Sequence, residues 1–136
     1  MSALLILAGA LFGSVALTWS AHLRRLKRHQ GLSREDFVGS FRLSGVSPRI
    51  SGAVYDHFKK LGFWTEFRPS PTDSLEGTYK TVDEDVESNL EDVLRSLGLD
   101  LPHSGILQEW NGPIETLSDV VRWADWVSTK QNVERK

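Results

Sequence analysis

Apolar residues are laid along this chain in two different ways. From Ala3 to Trp19 they run together without a charge, interrupted only by Gly9, Gly13, Ser14 and Thr18. Beyond residue 31 they recur at three- and four-residue spacing, the mark of helices with one buried face. Ile50, Val54, Tyr55, Phe58 and Leu61 form one such stripe over 48–61, opened by Ser47-Pro48 and closed by Gly62. Val86, Leu90, Val93, Leu94 and Leu97 form the clearest, with Asp83 as the expected N-cap, an acidic first turn and Gly98 at the end. Leu117, Val120, Val121, Ala124 and Val127 form the last, capped by Thr116. A shorter helix is expected after Ser33-Arg-Glu-Asp36, a capping-box pattern, through Phe37, Val38 and Phe41. The aromatic-rich stretch 63–82 reads as a long connection packed on the core. Leu99 to Pro102 reads as a packed linker, a brief turn is expected through Ile106, Leu107 and Trp110, and the chain after Lys130 as a polar tail.

The first apolar run has the dimensions of a membrane span. Residues 2–20 would rise ~28 Å as a helix, close to the thickness of a hydrocarbon core. Trp19 falls at interface depth, and Arg24, Arg25, Lys27 and Arg28 follow as a basic collar suited to anionic headgroups. A secretory signal would carry its positive charge ahead of the apolar core and a small-residue cleavage site behind it; this chain has neither. A buried helix would need a polar face, which the run lacks. The reading is an uncleaved single-pass anchor, its N-terminus outside and the basic end cytoplasmic. Gly9-x-x-x-Gly13 has the small-xxx-small spacing that lets two such helices approach, which allows weak self-association through it, although two glycines four apart are common in such segments.

Charge separates the two parts of the chain. The formal net charge is −2 and the collar holds four positives without a negative, which leaves −6 to the remainder. A domain of that sign is a poor match for nucleic acid, whose phosphates need concentrated positive charge. Cysteine is absent, excluding disulfides and thiolate chemistry.

Candidate chemistry is sparse. His22, His29, His57 and His103 show no paired ligand spacing, and Asp56-His57 are helical neighbours that point in different directions. The carboxylates Asp83, Glu84, Asp85, Glu87, Glu91 and Asp92 have neither a Glu-x-x-His companion nor a calcium-loop glycine, so no metal site is expected. They read instead as an acidic, solvated helix start, with Asp83, Glu84 and Glu87 as a surface for a basic protein partner. Trp123 and Trp126 share a helix face; one lies near the edge of the stripe, where a half-exposed aromatic anchors binding or simply finishes a core. No catalytic constellation is recognisable.

"LEDVLRSLGLDLP" (90–102) and "TLSDVVRWADWV" (116–127), in this helix order, resemble the acyl carrier protein family over residues 47–128. The resemblance also admits a bacterial family that keeps the fold without an assigned activity. It implies an all-α, four-helix carrier-like bundle. Carrier proteins attach phosphopantetheine to a serine of an Asp-Ser-Leu motif that begins the second helix. Counting back from Gly98 reaches Asp83 in Val82-Asp-Glu-Asp85, where no hydroxyl is present. Asp73-Ser74-Leu75 occurs ten residues too early, beside Gly77 and Pro71, in what reads as loop.

The expectation is therefore an anchor at 2–20, a basic linker at 21–32, a helical domain at 33–128 and a tail at 129–136. Its role would be a membrane-anchored, non-catalytic binding or assembly module without a cofactor. The alternative is a true acyl or peptidyl carrier modified at Ser74.

Overall fold

The computed structural model describes residues 15–21, 24, 29–62, 66–103 and 108–136. Regular structure among them is all helical, with one isolated antiparallel bridge, Ser74 to Thr116. Residues 15–21 are helical and their Val15, Leu17 and Trp19 side chains are exposed. No described helix is long and apolar enough to cross a membrane. Most of the expected 2–20 anchor, Gly9 and Gly13 included, lies outside the described residues, as do Arg25, Lys27 and Arg28.

Among the described residues, five helices build the domain. α1 (Arg34–Gly39) starts at Ser33, whose hydroxyl accepts the Asp36 amide at 3.2 Å. It ends two residues earlier than the apolar pattern suggests, yet Phe41 and Val46 still turn into the core from the loop that follows. α2 (Pro48–Leu61) begins as its sequence dictates, with Ser47 capping Arg49 N–H and proline in the first turn. Gly62 ends it for a reason other than left-handed backbone: its φ is −67°, and an added Cβ would lie 2.4 Å from the Phe67 ring. Close approach selects glycine there.

The connection 63–82 holds an unexpected element, α3 (Leu75–Tyr79). Ser74 is its N-cap, its hydroxyl accepting the Gly77 amide at 2.9 Å, and Lys80 closes it in the left-handed region at φ 54°. α4 (Asp83–Ser96) then corrects the expected cap. Val82 occupies the N-cap with no side-chain bond, and Asp83 is the first helical residue at φ 35°. The short link from Lys80 forces this tight turn, so Asp83 supplies first-turn charge rather than a cap. The far end follows the sequence closely. Gly98 has φ 68°, its N–H bonds Arg95 O at 3.1 Å, and Leu99 N–H bonds Leu94 O at 2.9 Å, the pair of bonds that defines a Schellman stop.

α5 (Leu117–Glu134) opens with a reciprocal capping box between Thr116 and Asp119. It also runs past the expected boundary. The 129–136 tail is helical as far as Glu134, because Gln131 continues the Val120, Ala124, Val127 stripe and is buried. Its side-chain amide clamps Asp100 on both sides, accepting from the Asp100 N–H at 3.2 Å and donating to the Asp100 carbonyl at 2.6 Å.

α2 and α4 are antiparallel: Arg49 of α2 donates to the Leu97 carbonyl, and His57 Nε2 lies 2.8 Å from Asn89 Oδ1. Phe37, Val54, Phe58, Val93, Leu94, Leu117, Val120 and Val121 meet in the shared core, each essentially removed from water. Burying a side chain of this kind contributes ~1.5–3 kcal/mol. The ends of the helices thereby gather at two poles. One holds the end of α2 and the starts of α3, α4 and α5; the other holds the 40–46 loop, the 97–101 linker and the end of α5.

Candidate functional site

The first pole holds a buried polar hub and an open trough beside it. The hub centres on Asp73, whose carboxylate is only 4% exposed. It accepts the Ser70 N–H at 2.8 Å and the Tyr79 hydroxyl at 3.0 Å. His29 Nε2 stands 3.1 Å from its other oxygen, a close contact without a formed hydrogen bond. The His29 ring also stacks on Phe67 with centroids 5.3 Å apart. Burial pushes the Asp73 carboxyl above its ordinary range, and the Ser70 amide, His29 and Tyr79 offset only part of that. Burial, followed by the adjacent Asp73 charge, pushes the Tyr79 phenol far upward, so it remains a donor.

The hub ties three segments together. Leu32 N–H bonds the Pro69 carbonyl at 3.1 Å, and Leu117 N–H bonds the Asp73 carbonyl at 3.1 Å. Leu75 N–H reaches Glu115 O at 2.9 Å across the Ser74–Thr116 bridge. The chain arriving from the basic collar is thus fastened at His29–Leu32 against the segment that leads into Ser74.

The trough runs along α4 from that point. One depression of about 590 Å³ is bordered by Ser74, Thr81, Asp83, Val86 and Ile114. A second, of about 420 Å³, adjoins it at Ile114 and is floored by Leu90 and Trp123, with Trp110 and Leu101 on its wall. Leu90 and Trp123 are buried, Trp110 and Ile114 half-buried, and Leu101 exposed. Glu87 and Glu91, one helical turn apart and both exposed, border the same depression. The result is an apolar channel with a carboxylate rim. Among the described residues, charged partners meet at His29–Asp73, Arg34–Asp56, Arg95–Asp92, Arg122–Asp119, Lys130–Glu109 and Arg135–Asp100, and Glu87 and Glu91 are in none of these pairs.

The structure divides the residues expected to act. Glu87 and Trp123 come together in the second depression, whereas Asp83 and Ser74 border the first. Glu84 is exposed on the acidic turn and borders neither. Trp123 is not an exposed hot spot: at 3% exposure it is core, and its ring forms floor. Trp126 is the half-exposed member of the pair, tilted against Trp110 at 5.5 Å with Lys130 Nζ 5.8 Å above its ring. Trp19 and Arg24 are exposed on helical residues ahead of the domain. Ser74 is half-buried with its hydroxyl engaged as a cap.

Several participants were hidden from sequence reasoning. Leu101 and Pro102 looked like linker packing, but they wall the trough. Asp73 and His29 lie 44 positions apart, and only the fold makes them neighbours. Gln131 had a signal, since 120, 124, 127 and 131 keep one helical register. Among the described residues no group of three or more His, Cys, Asp or Glu side chains is arranged to hold a metal. Comparison with protein-family models, with curated proteins and with solved structures gives no match.

Proposed function

We propose that this chain is a membrane-anchored, non-catalytic binding module whose docking surface is the trough along α4. The observation that carries the reading is the combination of an apolar floor at Leu90, Ile114 and Trp123 with the exposed rim carboxylates Glu87 and Glu91, which take part in no ion pair among the described residues. Such a channel suits an amphipathic segment that buries leucine-like side chains and sets Lys or Arg against the rim. The uncharged 2–20 run and the collar behind it support a single-pass anchor with the domain on the cytoplasmic side, held near anionic headgroups. The helix order supports a carrier-like bundle.

The test is a titration of the full-length protein in lipid nanodiscs with a helical peptide of leucines and lysines at three- and four-residue spacing. Binding that Leu101→Asp removes, without loss of folded signal, is the expected result. Equal binding by wild type and Leu101→Asp, or none by either, contradicts the reading.

A second reading has its own observation. Ser74 begins a helical turn, not a loop, and borders the same trough, as a carrier serine would. Against it stand the engaged hydroxyl and the absence of a serine at the start of α4. Intact mass after co-expression with a broad-specificity phosphopantetheinyl transferase separates the two. No mass increase is expected; an increase abolished by Ser74→Ala would install the carrier.

A further inference from the structure

We infer that the segment seated in the trough is the basic collar of a second copy of this chain, so that two anchored copies join collar to domain. The inference rests on the docking reading above and names its occupant. In the sequence Leu23-Arg-Arg-Leu-Lys-Arg28, two leucines stand three residues apart, the spacing that would put them on one face of a bound helix, and four positives fill the remaining positions. That is the chemistry the trough asks for: leucines for the floor of Leu90, Ile114 and Trp123, cations for Glu87 and Glu91. The charge layout of the chain supports the match, because its positives are massed in the collar and the first turns of α4 carry Asp83, Glu84, Asp85 and Glu87.

Position supports it as well. The collar precedes His29, which lies 3.1 Å from Asp73, and the neighbouring Ser74 borders the end of the trough where Asp83 lies. Two anchors side by side would therefore present each collar at the level of the other copy's trough. Gly9-x-x-x-Gly13 is spaced for that approach. The occupant is the other copy's collar rather than the chain's own because Arg24 is helical and exposed, and it forms no ion pair with a carboxylate among the described residues.

The absence of native cysteine makes a clean test. One full-length copy carries Leu26→Cys, a second, size-tagged copy carries Leu101→Cys, and the two are co-expressed, oxidised in isolated membranes and separated by size. A mixed disulfide between the two copies is expected. It should fall at least several-fold when the Leu101→Cys copy also carries Glu87→Lys and Glu91→Lys, and return when the other copy carries Arg24→Glu and Arg25→Glu. A single chain bearing both cysteines that closes only on itself would assign the trough to the chain's own collar and overturn the proposal. So would the absence of any disulfide. If the leucine–lysine peptide still binds the trough in that event, the docking reading stands and only the second copy falls; if neither occurs, both fall.

Discussion

Asp73→Ala is the substitution whose cost the structure defines most fully. The carboxylate is 4% exposed and satisfies two donors, Ser70 N–H at 2.8 Å and Tyr79 O–H at 3.0 Å, with His29 alongside at 3.1 Å. Hydrogen bonds to a charged acceptor are worth ~1.5–3 kcal/mol each, and a buried donor left without one loses about that much. Removing the carboxylate also removes the penalty of burying a charge, which returns part of the loss. The balance is a destabilisation of ~2–4 kcal/mol, a large share of the ~5–15 kcal/mol that holds a domain together. For about 100 residues this lowers the melting temperature by at least ~8 °C.

The pH dependence carries a definite sign. Because the Asp73 carboxyl is held above its ordinary value by burial, the folded protein binds its proton more readily than the unfolded chain does. Stability from this group is thus greatest near and below the ordinary carboxyl range of ~4, falls as pH rises through the raised value, and is level above it. Asp73→Asn should flatten that slope while losing less stability at neutral pH than Asp73→Ala. Denaturant unfolding of the full chain, followed by tryptophan fluorescence from pH 4 to 8, measures both. An Asp73→Ala protein within ~0.5 kcal/mol of wild type, the ordinary range for a surface substitution, would refute the hub.

Gln131→Ala removes both bonds to the Asp100 backbone and should cost ~1–3 kcal/mol in the same assay, where a true polar tail would show nothing. Leu94→Ala opens a cavity at a site with no exposure and should cost ~2–5 kcal/mol. Gly62→Ala must move the Phe67 ring, since the added Cβ meets it at 2.4 Å, and should destabilise the protein although the backbone there suits any residue.

The three long helices are legible in the sequence because period and punctuation agree. Ser47-Pro48 starts α2, Gly98 stops α4 in a left-handed turn, and Thr116 with Asp119 caps α5. What sequence could not resolve came from tertiary placement. α3 is five residues long, too short for a periodic signal, and exists because Ser74 and Lys80 close its two ends. Asp83 looked like a cap by residue type, but the tight link from Lys80 shifted the start of α4 to leave Val82 at that position. Trp123 looked like a partner surface by its spacing with Trp126, and the packing of α5 against the core took it inside. Of the trough, Glu87 was legible only as part of an acidic partner surface with Asp83 and Glu84; the walls at Leu101 and Trp110 come from a stretch with no repeat to read.

The proposed function requires that a docking segment bind in the trough rather than on another face of the domain. Hydrogen exchange of the full-length protein, with and without a saturating leucine–lysine peptide, tests it most directly, because protection reports each backbone segment separately. New protection is expected at residues 85–91, 99–103 and 110–117, weakened by Glu87→Lys with Glu91→Lys and by added salt. Protection centred on α1 or α2, or protection unchanged by the two charge reversals, would contradict it.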